Sequence, residues 1–122
     1  MTRLEFLEDT VKWYSENPDR RCFNHDGKCL YSPKNALNNT ESTGCAIGIH
    51  LSPELASYLD EHYTNSGVER VFEDLPDNLK ELGVAFLSNI QYLHDIDSFW
   101  TKESLSERGK EFVNEIKERF CQ

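Results

Sequence analysis

Apolar residues recur at three- and four-residue spacing along nearly the whole chain, and one dipeptide, Asp26-Gly27, breaks that rhythm. The best-defined stretch follows Gly83: between Val84 and Asp95, Phe86, Ile90 and Leu93 form the apolar stripe of an amphipathic helix. Leu4, Leu7, Val11 and Tyr14 predict a first helix over residues 3–15, stopped before Asn17-Pro18. Ser52-Pro53 opens a helix that runs to about Tyr63, Leu75-Pro76 opens another, and residues 106–120 predict the last, burying Phe112, Val113, Ile116 and Phe120. Asp-Gly suits the positive φ angles of a type I′ turn, so residues 21–31 read as a β-hairpin. The expected fold is therefore α+β: a mainly helical single domain over residues 1–122, with about five helices and one β-hairpin near residues 21–31. The polar stretch 32–43 reads as a loop beside the hairpin.

Composition narrows the functional classes. A chain of 122 residues that is 38% hydrophobic has enough apolar surface to bury a core despite 29% charged residues. No apolar run has the length of a membrane span, and the first residues carry Glu5, Glu8 and Asp9 where a signal peptide would carry bases, so a cytoplasmic protein is expected. Residues 1–50 hold six Lys/Arg against seven Asp/Glu, whereas residues 51–122 hold seven against fifteen. Such a surface repels nucleic-acid phosphate, which argues against direct DNA or RNA binding. Locally, Arg20, Arg21, Lys28 and Lys34 outnumber Asp19 and Asp26, a patch suited to a small anion.

Four cysteines invite disulfide and metal readings, and neither gains support from spacing. With Asn24 opposite Cys29 in the hairpin, Cys22 and Cys29 are diagonal neighbours about 7–8 Å apart, well beyond the roughly 4 Å Cβ separation of a disulfide. Reduced thiols are expected. In the series Cys22-x2-His25-x3-Cys29-x15-Cys45 the same register turns His25 to the opposite face, so no zinc site and no cofactor are expected.

The residues that ordinary packing does not demand are Cys29-x-Tyr31, Gly44-Cys45-Ala46-x-Gly48, Gln91-x-x-His94-Asp95 and Trp100. At 100° per residue His94 flanks the apolar stripe beside Leu87, while Asp95 points nearly opposite, so a Cys45–His94–Asp95 triad is disfavoured and a Cys45–His94 dyad stays open. Cys45 reads as the start of a short helix, where the helix dipole favours thiolate. His94-Asp95 is similar to the metal-binding pair of the HD phosphohydrolases, with His62 as a possible upstream ligand. Those enzymes need an aspartate on a later helix, and here no Asp follows Asp97.

Taken together, Cys29-x-Tyr31, Cys45-Ala46-x-Gly48, Gln91-x-x-His94-Asp95 and Trp100 resemble a family of small proteins of bacteriophages and bacteria, over roughly residues 20–100. The resemblance implies origin rather than activity. Family members often carry Arg after the Gly of Cys-Ala-x-Gly; Ile49 and His50 stand here, so an anionic ligand would rely on His50, Arg20 or Arg21. The expected function is a phage accessory, anti-defence protein that binds and sequesters a nucleotide-derived signal without catalysis. Its ligand residues would be Arg20, Arg21, Tyr31, Gly44, Cys45, His50, Gln91, His94 and Trp100. The alternatives are an acidic inhibitor of a host nucleic-acid-binding defence protein, with the C-terminal helices imitating phosphate charge, and a small cysteine-dependent hydrolase.

Overall fold

The computed structural model describes residues 1–37, 41–63 and 67–122, and among these the secondary structure is helical. Six α-helices follow in order: α1 Arg3–Glu16, α2 Pro53–His62, α3 Val68–Val71, α4 Asp77–Lys80, α5 Val84–Asp95 and α6 Glu107–Phe120. Single 3-10 turns lie between them, among them Pro18–Arg20, Gly48–His50 and Asp97–Phe99. Of the polar stretch 32–43, Pro33–Asn35 forms another such turn, and residues 38–40 lie outside the described residues. Among the described residues no helix is long and apolar enough to cross a membrane.

Local chemistry accounts for the helix starts. Thr2 Oγ1 accepts from the Glu5 N–H at 3.1 Å while Glu5 Oε1 accepts from the Thr2 N–H at 2.9 Å, a reciprocal capping box at α1. Ser52 and Ser106 cap α2 and α6 in the simpler way, accepting from Leu55 N–H at 3.2 Å and Gly109 N–H at 3.1 Å. The core is gathered around α5, which packs against α1, α3 and α6 and buries Phe86, Leu87, Ile90 and Leu93. Helix α1 is rotated from its expected phase: Phe6, Leu7, Thr10 and Tyr14 are buried, and Leu4 is 39% exposed. Thr10 can be buried because its hydroxyl donates to Phe6 O at 2.8 Å. Phe6 then turns inward, against Phe86 and the His50 ring.

The expected β-hairpin is not formed, and with it the α+β assignment falls. Among the described residues there is no strand; an isolated antiparallel bridge, Phe23 to Cys29, is all that remains around Gly27, one residue out of the expected register. The turn is longer than two residues. Asn24 Oδ1 accepts from the N–H groups of Asp26 (2.9 Å) and Lys28 (3.0 Å), and Gly27 takes a φ of 76°. Beyond the bridge, N–H donors on the flanking residues are claimed by side chains from the helices. The Cys22 N–H bonds His94 Nε2 at 3.0 Å, and the N–H groups of Tyr31 and Ser32 bond the two oxygens of Asp60 on α2 at 2.8 and 2.9 Å. With those donors spent, pairing cannot propagate into a sheet.

Cys45 likewise does not begin an α-helix. It precedes a turn that tightens into the 3-10 turn Gly48–His50, and its buried Sγ accepts from the Gly48 N–H at 3.3 Å. A Cβ at Gly48 would overlap the backbone carbonyl of Tyr31, so the Cys-Ala-x-Gly element is in part a packing requirement. Urea unfolding should report this hierarchy. Phe86→Ala and Ile90→Ala are expected to cost about 2–5 kcal/mol each, Gly48→Ala about 1–3 kcal/mol from overpacking, and Leu4→Ala less than about 0.5 kcal/mol. A Leu4 variant as damaging as Phe86→Ala would mean that α1 sits in the phase expected from sequence.

Candidate functional site

The C-terminal end of α5 faces the 22–30 segment, and the polar residues of the Gln-x-x-His-Asp element meet there. His94 is completely buried, with Tyr14 and Phe23 rings 5.1 and 5.2 Å from its own. Because Nε2 accepts from the Cys22 N–H, the neutral ring carries its proton on Nδ1, which donates to Asp95 Oδ1 at 2.7 Å. His94 and Asp95 are thus partners, contrary to the divergence expected of adjacent helical residues. That expectation followed Cβ directions alone, whereas at the last turn the Asp95 carboxylate bends back toward the ring. Oδ1 also accepts from Gln91 Nε2 at 2.8 Å, the ordinary i, i+4 reach on a helix.

Gln91 Nε2 donates a second bond to Cys29 Sγ at 2.7 Å, so both amide hydrogens are used and the orientation of the carboxamide is fixed by chemistry. Its Oε1 is buried and has no hydrogen-bond partner among the described residues, although Gln91 is only 7% exposed. An orphan acceptor of this kind costs about 1–3 kcal/mol. Gln91, Cys29 and Asp95 line a cavity of about 280 Å³ together with Phe23, Lys28 and the glycines Gly27 and Gly67.

The Cys45–His94 dyad left open by the sequence is not formed, because both ring nitrogens of His94 are engaged elsewhere. In a thiol–imidazole–carboxylate relay the ring nitrogen opposite the carboxylate faces the thiol; in this site it faces a backbone N–H. A hydrogen bond with Cys45, together with burial and the nearby Asp95 charge, holds the Cys29 thiol well above its ordinary range, and burial pushes Cys22 up to about 11. Thiols held protonated are poor nucleophiles at neutral pH.

A cation fits no better. One ligand atom from each of Cys29, His94 and Asp95 lies within 4.8 Å of the others. Gln91 Nε2 points two hydrogens into that group, and His94 Nδ1 carries a third, so the space between them is lined with donors rather than lone pairs. The spacing that joined His25 to Cys22, Cys29 and Cys45 also fails, because His25 is exposed at the turn.

Of the nine expected ligand residues, Gln91 lines this cavity and His94 supports it from behind. The others lie elsewhere. Arg20 stacks on Trp13 and pairs with Glu16 at 2.9 Å. Arg21 donates to His94 O (2.6 Å), Asp95 O (3.2 Å) and Asp97 Oδ1 (3.0 Å), so both arginines of the expected anion patch are already committed. Trp100 is buried, with Nε1 donating to Leu93 O at 2.8 Å. Tyr31 and Cys45 are core residues, and Gly44 O accepts from the Tyr14 hydroxyl at 2.7 Å. His50 borders a separate hollow with Asp9, Trp13 and Glu16. Sequence reasoning left Cys29, Asp95, Phe23 and Lys28 out of the ligand set. The alternation of a correctly registered turn, Phe23 opposite Cys29, is the signal that would have found two of them.

Burial depresses the pKa of His94 against the opposing pull of Asp95, and burial does the same to His50. The unfolded imidazole titrates near 6.5, so in acid the unfolded chain binds protons that the folded one refuses. Their contribution to stability is complete above about pH 6.5 and is lost as pH falls toward the depressed folded values. Asp60, raised by burial, works in the opposite sense at lower pH. Urea midpoints are therefore expected to drop between about pH 6.5 and 5, and the drop should shrink in His94→Asn. An unchanged acid limb in that variant would show that His94 is accessible to protons in the folded state. No family model matches the chain, and comparison with curated proteins and with solved structures likewise gives no match.

Proposed function

We propose that the chain is a small-molecule-binding protein that holds its ligand in the cavity between the 23–29 turn and α5 and does not transform it. The observation that carries this reading is the cavity itself, about 280 Å³, in which the Phe23 ring and Lys28 join Gln91 and Asp95, two polar side chains held in place by hydrogen bonds to Cys29 and His94. A concave wall with a few fixed polar groups beside an apolar ring is the usual form of a small-molecule site. The absence of turnover is supported by an imidazole whose two nitrogens are both engaged and by two thiols held protonated, Cys29 by its hydrogen bond with Cys45 together with burial and Cys22 by burial. Beside the resemblance to small proteins of phages and bacteria, this supports sequestration of a nucleotide-derived signal as the biological role.

Charge mimicry by the last helix has less to draw on. Residues 107–120 carry four glutamates against four Lys/Arg, and Lys110 pairs with Glu107 at 3.1 Å. The acidic excess lies instead in residues 51–83, with eight Asp/Glu against two Lys/Arg.

Protein purified from a bacterial lysate under native conditions and then denatured should release one small molecule in stoichiometric amount, identified by mass spectrometry. Gln91→Met is expected to lower that yield about tenfold or more, the cost of removing the buried polar partner. Cys45→Ser, which changes a buried group outside the cavity, should retain it. A released compound that the purified protein converts on incubation would replace binding by catalysis.

A further inference from the structure

We propose that Cys29 and Cys45 form a dithiol site, which a hydroperoxide arriving through the cavity oxidises to a disulfide. The backbone seats the two residues against each other. The Cys45 N–H donates to Leu30 O at 3.0 Å, and a Cβ at Gly44 or at Gly48 would meet the Tyr31 carbonyl, so the 44–48 segment rests on residues 30 and 31. The Cys29 and Cys45 thiols share a hydrogen bond. Seating of this kind is what a disulfide requires, since sulfurs on diverging Cα–Cβ bonds cannot be joined without backbone movement.

The thiols differ in access, and that assigns their roles. Cys29 is half-buried and lines the cavity, whereas Cys45 is completely buried. Cys22 is buried too, but its Sγ donates to Ser32 O at 3.5 Å, which commits that thiol to the backbone. Cys121 lies in another hollow, with Arg3 and Phe120.

In the first step Cys29 Sγ attacks a peroxide oxygen and the O–O bond breaks. The thiol proton leaves with the alcohol, or with water where the oxidant is hydrogen peroxide. Cys45 Sγ then attacks the sulfur of the resulting sulfenic acid. The S–O bond breaks, the disulfide forms, and the Cys45 proton leaves with the hydroxyl as water. Two thiols lose two electrons and the hydroperoxide gains them. Each sulfur receives an N–H that stabilises negative charge as it attacks, from Gln91 Nε2 at 2.7 Å on Cys29 and from Gly48 at 3.3 Å on Cys45. Against this, the hydrogen bond with Cys45, burial, and the Cys45, Asp95 and Cys22 charges hold Cys29 protonated, so oxidation is slow at neutral pH and quickens as pH rises. The site answers sustained oxidant rather than a brief pulse.

Peptide mapping tests this, because trypsin places the four cysteines on four peptides, residues 22–28, 29–34, 35–70 and 120–122. The reduced full chain is treated with hydrogen peroxide, free thiols are blocked, and the digest is read by mass spectrometry without reductant. The expected product has lost two hydrogens and joins 29–34 to 35–70, and dithiothreitol restores the separate peptides. Its rate of formation should rise several-fold between about pH 7 and pH 9. Cys22→Ser and Cys121→Ser should retain the link and Cys29→Ser abolish it, with thermal melts of the reduced variants confirming that they fold. In Cys45→Ser the sulfenic acid has no thiol to meet it, so a dimedone adduct is expected on Cys29. A link that includes 22–28, a disulfide that survives Cys29→Ser, or a Cys29 that stays unlinked while glutathione under the same treatment is oxidised overturns the proposal.

Discussion

One buried imidazole holds this fold together where its helices meet its irregular segment. His94 accepts a backbone N–H from Cys22 on one side of its ring and donates to Asp95 on the other, so a single neutral side chain joins residues 73 positions apart at either edge. Neutrality makes this possible, since a charged imidazolium has no lone pair for Cys22 and would be costly in full burial. The neighbouring motif residues then close the end of α5. Its last carbonyls have no helical partner, and the side chains of Trp100 and Arg21 supply donors: Trp100 to Leu93 O, Arg21 to His94 O and Asp95 O. Arg21, His94, Asp95 and Trp100 thus form one assembly that caps a helix and docks a loop.

Asp60 plays the matching part on the far side of the irregular segment. Its carboxylate receives the successive N–H groups of Tyr31 and Ser32, and burial raises its pKa against the lowering effect of those two bonds. The 22–32 segment is therefore hung between α5 and α2 by side-chain acceptors rather than paired with itself. Tight packing follows from the same anchoring, with Gly48 set against the Tyr31 backbone so closely that any side chain would collide.

Much of the helical scaffold was legible because it rests on periodicity and end signals, which are local. The boundaries of α5 emerge from Gly83 and the Phe86–Ile90–Leu93 stripe, and the start of α6 from Ser106. The phase of α1 was not, since burying Thr10 depends on its bond to Phe6 O and on Phe86 as a partner for Phe6. The hairpin failed for a nonlocal reason as well. Asp26-Gly27 does turn the chain, but whether a turn grows into strands depends on who takes the flanking N–H groups, and His94 and Asp60 are 72 and 29 residues away from the donors they bind. At the site, the Gln-x-x-His-Asp element was visible, while the roles within it were inverted: Asp95 is the hub, and Arg21 and Trp100 support it.

The site itself follows from an imbalance between donors and acceptors. Around Asp95 every donor is used internally: the His94 proton, both Gln91 amide hydrogens and the Arg21 guanidinium each have protein acceptors. Gln91 Oε1 is left over. The same imbalance bears on chemistry. A general base needs a lone pair directed at the reacting proton, and the one ring nitrogen that has such a pair, His94 Nε2, is turned away from the cavity into the backbone at Cys22. The bonds that fix Gln91 and His94 in this wall also occupy both nitrogens of the imidazole, which leaves the Asp95 carboxylate as the partly exposed polar group facing the cavity.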